Sequence, residues 1–173
     1  MKNIIKSICF ILVFITINNC NTQIHVSDPH IDKFTGTWKW GDNVNGLTLI
    51  LKRENNIQPF KTDTNTLLDS LIGFHKINKN GQTTEDSTSY FNTNFNDKKQ
   101  TCVGNSDNDD SNLLVLFMSH KGKGVRLKIS FIDTTHIKIT EVINREGARV
   151  IYPGQNPTDW SIDIPANIIL TKQ

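Results

Sequence analysis

The feature that most constrains this chain is a side-chain period of two that runs from Phe34 almost to the C-terminus. In residues 34–40, Phe34, Gly36, Trp38 and Trp40 share one face, while Thr35, Thr37 and Lys39 share the other. After a turn over residues 41–46, Leu47, Leu49 and Leu51 alternate with Thr48, Ile50 and Lys52. Residues 70–79 form a further strand ending in Asn80-Gly81, the dipeptide suited to a type I′ hairpin, and residues 82–91 supply its returning partner. Only 64–71 reads two ways, as strand or as one short helical turn.

The second half repeats the pattern more plainly. Residues 113–119 are apolar on both faces, as expected of a strand covered on both sides. Lys121-Gly122-Lys123-Gly124 turns the chain, and Val125, Leu127, Ile129 and Phe131 then oppose Arg126, Lys128 and Ser130. Ile137 and Ile139 follow, and further strands are expected over 148–152, 160–164 and 167–172. Strand starts recur every twelve residues or so, which predicts an all-β, antiparallel up-and-down sheet of about eight to nine strands. Such a sheet closes into a barrel or folds into a sandwich.

One stretch departs from the pattern. Residues 92–112 carry only Phe95, Cys102 and Val103 as sizeable apolar groups, so they read as a long polar loop, with a polar edge hairpin as the alternative. At 173 residues the chain has room for one domain with a substantial core.

The N-terminus carries a different message. Lys2 and Lys6 precede an uncharged apolar run from Ile8 to Ile17, too short to span about 30 Å of hydrocarbon but suited to a signal peptide. Residues 17–19 lack the small residues of an ordinary cleavage site, and Cys20 follows directly. That placement resembles the lipobox of bacterial lipoproteins, with Asn19 standing where that pattern prefers Gly or Ala. The resemblance implies a signal peptide over 1–19, lipid attachment at Cys20, a flexible tether over 20–32 and a single β domain over 33–173. The location it implies is the bacterial cell envelope, as an outer-membrane lipoprotein; the alternative is a soluble periplasmic or secreted protein. A Cys20–Cys102 disulfide is the competing use of Cys20.

The opening Gly36-Thr37-Trp38 and the meander after it resemble the lipocalins, whose first strand carries a Gly-x-Trp motif. A lipocalin also sets an Arg across that Trp from near the last strand, and no Arg follows Arg149 here. A resemblance over nearly the whole chain is to uncharacterised small lipoproteins of Flavobacterium- and Chryseobacterium-like Bacteroidota. It rests on the leader, GTWKW, LTLILK, LIGFHK followed by KNG, NREG and the terminal NIILTKQ, and it implies a domain of unknown function.

Several chemistries find no support in the residues. With Lys2 and Lys6 removed, basic and acidic residues balance and no basic stripe stands out, which argues against nucleic acid as a partner. No G-x-S-x-G, H-E-x-x-H or P-loop context occurs, so the chain is read as a non-enzyme without cofactors. Asp107, Asp109 and Ser111 alternate as in a calcium loop, but Asn112 and Met118 stand where the EF-hand places Gly and Glu. The expected function is binding of a small or apolar ligand within the barrel by Trp38, Trp40, Phe74 and Phe131, with the membrane as partner through the lipid. The alternative is an interaction or structural protein with a filled core, acting through residues 92–112.

Overall fold

The computed structural model describes residues 23–59, 65–145 and 160–173. Among these residues ten strands form: β1 (Ile24–Val26), β2 (Gly36–Gly41), β3 (Gly46–Ile57), β4 (Thr66–Lys79), β5 (Gln82–Asp86), β6 (Cys102–Ser106), β7 (Leu113–His120), β8 (Lys123–Asp133), β9 (His136–Asn144) and β10 (Ile168–Lys172). The described residues contain no α-helix, only three short 3-10 helices. The hydrogen-bonded order β4-β3-β2-β10-β9-β8-β7-β6 returns to β4 through a β4–β6 pairing, so eight antiparallel strands close a barrel. Closure removes the exposed edges that an open sheet would present.

The alternation read from sequence sets the interior. Trp38 pairs with Leu49, Leu47 with Ile77, Leu116 with Leu127 and Leu170 with Ile137, and these residues belong to one buried cluster. An eight-stranded barrel is just wide enough for side chains to fill, and here they do. The sharp hairpins fall where turns were expected, on left-handed backbone: Asn80 and Gly81 have φ of 52° and 78°, and Lys121 and Gly122 have 50° and 71°.

One end of the barrel is plugged. A 3-10 helix over Ile31–Phe34 seats Ile31 and Phe34, both fully buried, across it. Trp38 fixes the plug by donating its indole Nε1–H to the Phe34 carbonyl at 2.7 Å. Lys172 of β10 lies with Nζ 5.0 Å from the centre of the Trp38 ring, a cation–π contact. Gly36 is what makes room for it. A Cβ there would stand 2.6 Å from Lys172 Cε, and its φ of +126° is one that side-chain-bearing residues rarely adopt.

The tether expected over 20–32 is docked from residue 24 onward. β1 adds in parallel to β4, Ile24 opposite Thr66. Asp28 then accepts from the backbone N–H and hydroxyl of Ser106, both at 2.8 Å. Residues 24–32 therefore belong to the folded unit that was expected from residue 33. The anchor holding β1 is Asp69, 3% exposed, which accepts from His25, Ser27 and Arg53. Burial would raise the Asp69 pKa, but these donors outweigh it and bring it down to about 2.

Residues 92–112 also differ from the loop expected. They include β6, which forms one wall of the barrel between β4 and β7. Its sparse apolar content is enough because the face it turns to the core residues of β7 is made of Cys102, Gly104 and Ser106, all small. A Cβ at Gly104 would come within 2.5 Å of the Val115 carbonyl oxygen, so that position admits no side chain. Asn94 and Asp97 form a reciprocal cap that orders the stretch before it. At the other extreme, 160–164 is not a strand: both edges of β10 are already taken by β2 and β9, so no edge is left for it. The strand expected over 148–152 lies outside the described residues.

Candidate functional site at the barrel mouth

Opposite the plug, the barrel ends at the β2–β3, β4–β5 and β7–β8 hairpins. Residues 160–165 cross this mouth as a strap. Ile164 is buried in the core cluster and Ile162 packs against it. Three backbone groups tie the strap down: the Trp160 carbonyl accepts from Asn144 Nδ2 at 3.1 Å, the Ser161 carbonyl from Lys123 Nζ at 2.5 Å, and the Asp163 N–H donates to His120 Nε2 at 3.2 Å. His120 and Lys123 are buried polar residues reaching from the β7–β8 hairpin, 0% and 5% exposed.

His120 belongs to a larger buried array. Because its Nε2 accepts from Asp163, its Nδ1 is the donor, and that proton goes to Glu85 Oε2 at 2.6 Å. His75 Nε2 donates to the same oxygen at 3.1 Å, and the Lys121 N–H donates to Glu85 Oε1 at 2.5 Å. His75 Nδ1 meets the Thr101 hydroxyl at 2.8 Å, and its backbone N–H is taken by Ser87 Oγ at 2.9 Å. The reason for the array lies in the topology. β5 and β6 occupy successive parts of one edge of β4, and β5 has no ladder to β7. Glu85 bridges that gap with its carboxylate. Burial opposes its charge, yet the bonds from His120, His75 and the Lys121 N–H hold its pKa well below the usual carboxylate range.

Between the strap and the hairpins lies a cleft of about 370 Å³. Trp40, Leu47, Ile77, Ile162 and Ile164 form its apolar walls, while Lys79 and Asp163 stand at its polar side. The Asp163 side chain is 6% exposed and sits between two cations, with Lys79 Nζ at 2.5 Å from Oδ1 and Lys121 Nζ at 2.6 Å from Oδ2. Burial would raise its pKa; the two lysines outweigh that and lower it.

The four aromatic residues singled out in the sequence separate. Trp40 lines the mouth cleft. Trp38 lies deep in the plugged half, and Phe131 packs edge-on against Phe34 with ring centres 5.8 Å apart, again at the plug. Phe74 is fully buried but on the outer face of the barrel, since its neighbours Gly73 and His75 pair with the interior residues Leu51 and Leu49. Residues 88–95 approach that outer face, where Lys52 Nζ donates to the Thr93 carbonyl and Glu54 accepts from the Phe95 N–H at 2.8 Å. The expectation that Phe74 lines the interior is thus corrected. A residue is buried on both faces when a loop covers the outside, and alternation does not announce that cover.

Asp107, Asp109 and Ser111 lie in the β6–β7 connection. Asp107 accepts from the Asp109 N–H at 3.0 Å and Asp110 from the Asn112 N–H at 2.8 Å, which are turn-forming bonds. Among the described residues no group of three or more His, Cys, Asp or Glu is placed to hold a metal ion. Cys102 is a free thiol facing the core, and burial pushes its pKa up to about 12, which leaves it a poor nucleophile. Cys20 lies outside the described residues. Sequence reasoning missed the strap and Glu85. The SIDI segment gave a strand signal, and the Glu85 contacts come from residues 10 and 35 positions away.

Comparison with known proteins gives a family whose function is not assigned. A family model described as "Family of unknown function (DUF6705)" matches residues 1–173, so the chain belongs to that family. No curated protein and no solved structure matches it.

Proposed function

We propose that this family member is a non-enzymatic binding protein of the bacterial envelope, whose ligand is a small molecule with an apolar body seated in the barrel mouth. The observation that carries the reading is the cleft of about 370 Å³ between Trp40, Leu47 and Ile77 on the barrel and Ile162 and Ile164 on the strap. Ligand sites are commonly concave, mostly apolar and about 300–1,000 Å³, with a few polar groups at one side. The barrel interior below is filled, so the ligand belongs at the mouth rather than in a deep cavity. The imidazoles, the Glu85 carboxylate and the hydroxyls beside them bond one another or neighbouring backbone groups across the β5–β7 gap, which favours a binder over a catalyst.

The filled interior fits the alternative of an interaction or structural protein, but residues 92–112, through which it would act, include β6 and so form part of the barrel wall. The lipobox-like Cys20 supports anchoring in the outer membrane. With β1 starting at Ile24, only residues 21–23 separate that anchor from the folded unit. Each extended residue spans at most about 3.6 Å, so the domain sits close to the bilayer.

A thermal-shift screen of small apolar and amphipathic molecules on the full chain tests the reading. A ligand should raise Tm as RT ln(1 + [L]/Kd) requires, and Ile162→Glu, which sets a charge in the cleft, should remove the shift. A shift that survives Ile162→Glu places the ligand elsewhere.

A further inference from the structure

We infer that the mouth contains an anion subsite made by Lys79 and Lys121, occupied in this structure by the chain's own Asp163, and that the ligand is a small amphipathic carboxylate. The inference rests on the mouth-binding reading and names the chemistry of its ligand.

The geometry is that of a bound carboxylate. Lys79 Nζ donates to Asp163 Oδ1 at 2.5 Å, a charge-assisted bond, and Lys121 Nζ stands 2.6 Å from Oδ2 as an ion pair. The group is well shielded, yet both lysines are more open: Lys79 is 50% exposed and Lys121 31%. Two cations therefore face one carboxylate. Glu85, nearby, is held by two imidazoles and a backbone N–H.

Asp163 is also separable from the strap that carries it. The strap is tied down through the Trp160 and Ser161 carbonyls and the Asp163 backbone N–H. None of these bonds uses the carboxylate. Its side chain can rotate toward solvent while Ile162 and Ile164 stay packed. The position it leaves adjoins the apolar cleft, because Lys79 and Asp163 line the same space as Trp40, Leu47 and Ile77. A ligand carboxylate placed there would inherit both lysines, and its apolar chain would extend along the Trp40 wall. Asp163 acts as a built-in competitor that lowers affinity for anions and leaves affinity for neutral apolar molecules unaffected.

The test is calorimetric titration of the full chain in lipid nanodiscs, with empty discs as the blank, using octanoate and the uncharged octanol as probes. Asp163→Asn removes the competing charge and keeps the side chain's shape. It should tighten octanoate binding roughly tenfold, the scale of one charge-assisted contact, and leave octanol within about twofold. Adding Lys79→Gln to Asp163→Asn should reverse the gain. Equal gains for octanoate and octanol would mean a loosened strap and overturn the anion subsite. Octanol binding without any octanoate preference in Asp163→Asn would end the inference while leaving the mouth reading intact. Binding of neither probe to either protein would overturn both.

Discussion

Replacing Glu85 by Gln isolates the group that joins β5 to β7. The substitution preserves size but leaves one acceptor oxygen where there were two. His75 and His120 converge on Oε2, while the Lys121 N–H uses Oε1. Whichever way the amide turns, its NH2 confronts either two imidazole donors or the backbone donor. An orphaned buried donor costs about 1–3 kcal/mol, and the surviving bonds lose their charge assistance. The expected loss is about 2–4 kcal/mol at pH 7, since the Glu85 side chain is only 21% exposed. For a domain of this size that is a fall in Tm of about 4–16 °C.

The pH dependence gives an independent check. The folded-state pKa of Glu85 is depressed. Its contribution is therefore complete above the ordinary Glu value and is lost as pH falls toward the depressed one. Melts of both proteins followed by circular dichroism from pH 7 to pH 3 should show the gap narrowing only below about pH 4.5. A Tm within 2 °C of wild type at pH 7, taking about 2 °C as the smallest shift a 1 kcal/mol change gives, would refute the bridging role.

Other consequences follow from the same contacts. Gly36→Ala should cost about 2 kcal/mol in chemical denaturation, since it strains a φ of +126° and drives Lys172 off Trp38. Asp69→Asn should free β1, read as lost hydrogen-exchange protection at residues 24–26. In the wild type that protection should hold above pH 3.8 and decline toward about pH 2, the window set by the lowered pKa. Cys20→Ser should move the protein from the membrane to the soluble fraction. Membrane retention of a cleaved Cys20→Ser protein would contradict lipid anchoring.

The barrel was legible because alternation is local. Each of β2, β3, β8 and β9 shows its inward face within a few residues, and Asn80-Gly81 and Lys121-Gly122 show their turns directly. β7, apolar on both faces and expected to be covered on both, buries only one and leaves Phe117 exposed. What was not legible depends on distant partners. β6 looks like polar loop because Gly104 is silent in any hydrophobicity pattern, yet it packs against β7 for want of a side chain. Phe74 and Ile72 carry no mark of the segment that covers them from outside. Residues 160–164 alternate as a strand would, but β10 already has both neighbours, so they cross the mouth instead. Of the residues lining the mouth cleft, Trp40 is the one that the sequence had singled out. Lys79, Lys121 and Asp163 meet across 84 and 42 positions of sequence, a convergence that only closure of the barrel produces.

The most direct test of the central claim is native mass spectrometry of the full chain extracted gently from its own envelope, wild type beside Ile162→Glu. The account predicts a stoichiometric extra mass beyond the lipid anchor in the wild type, with an acidic fragment and an apolar one, and its loss in the variant. A bare wild-type mass, or an adduct equally retained by Ile162→Glu, would contradict binding at the mouth.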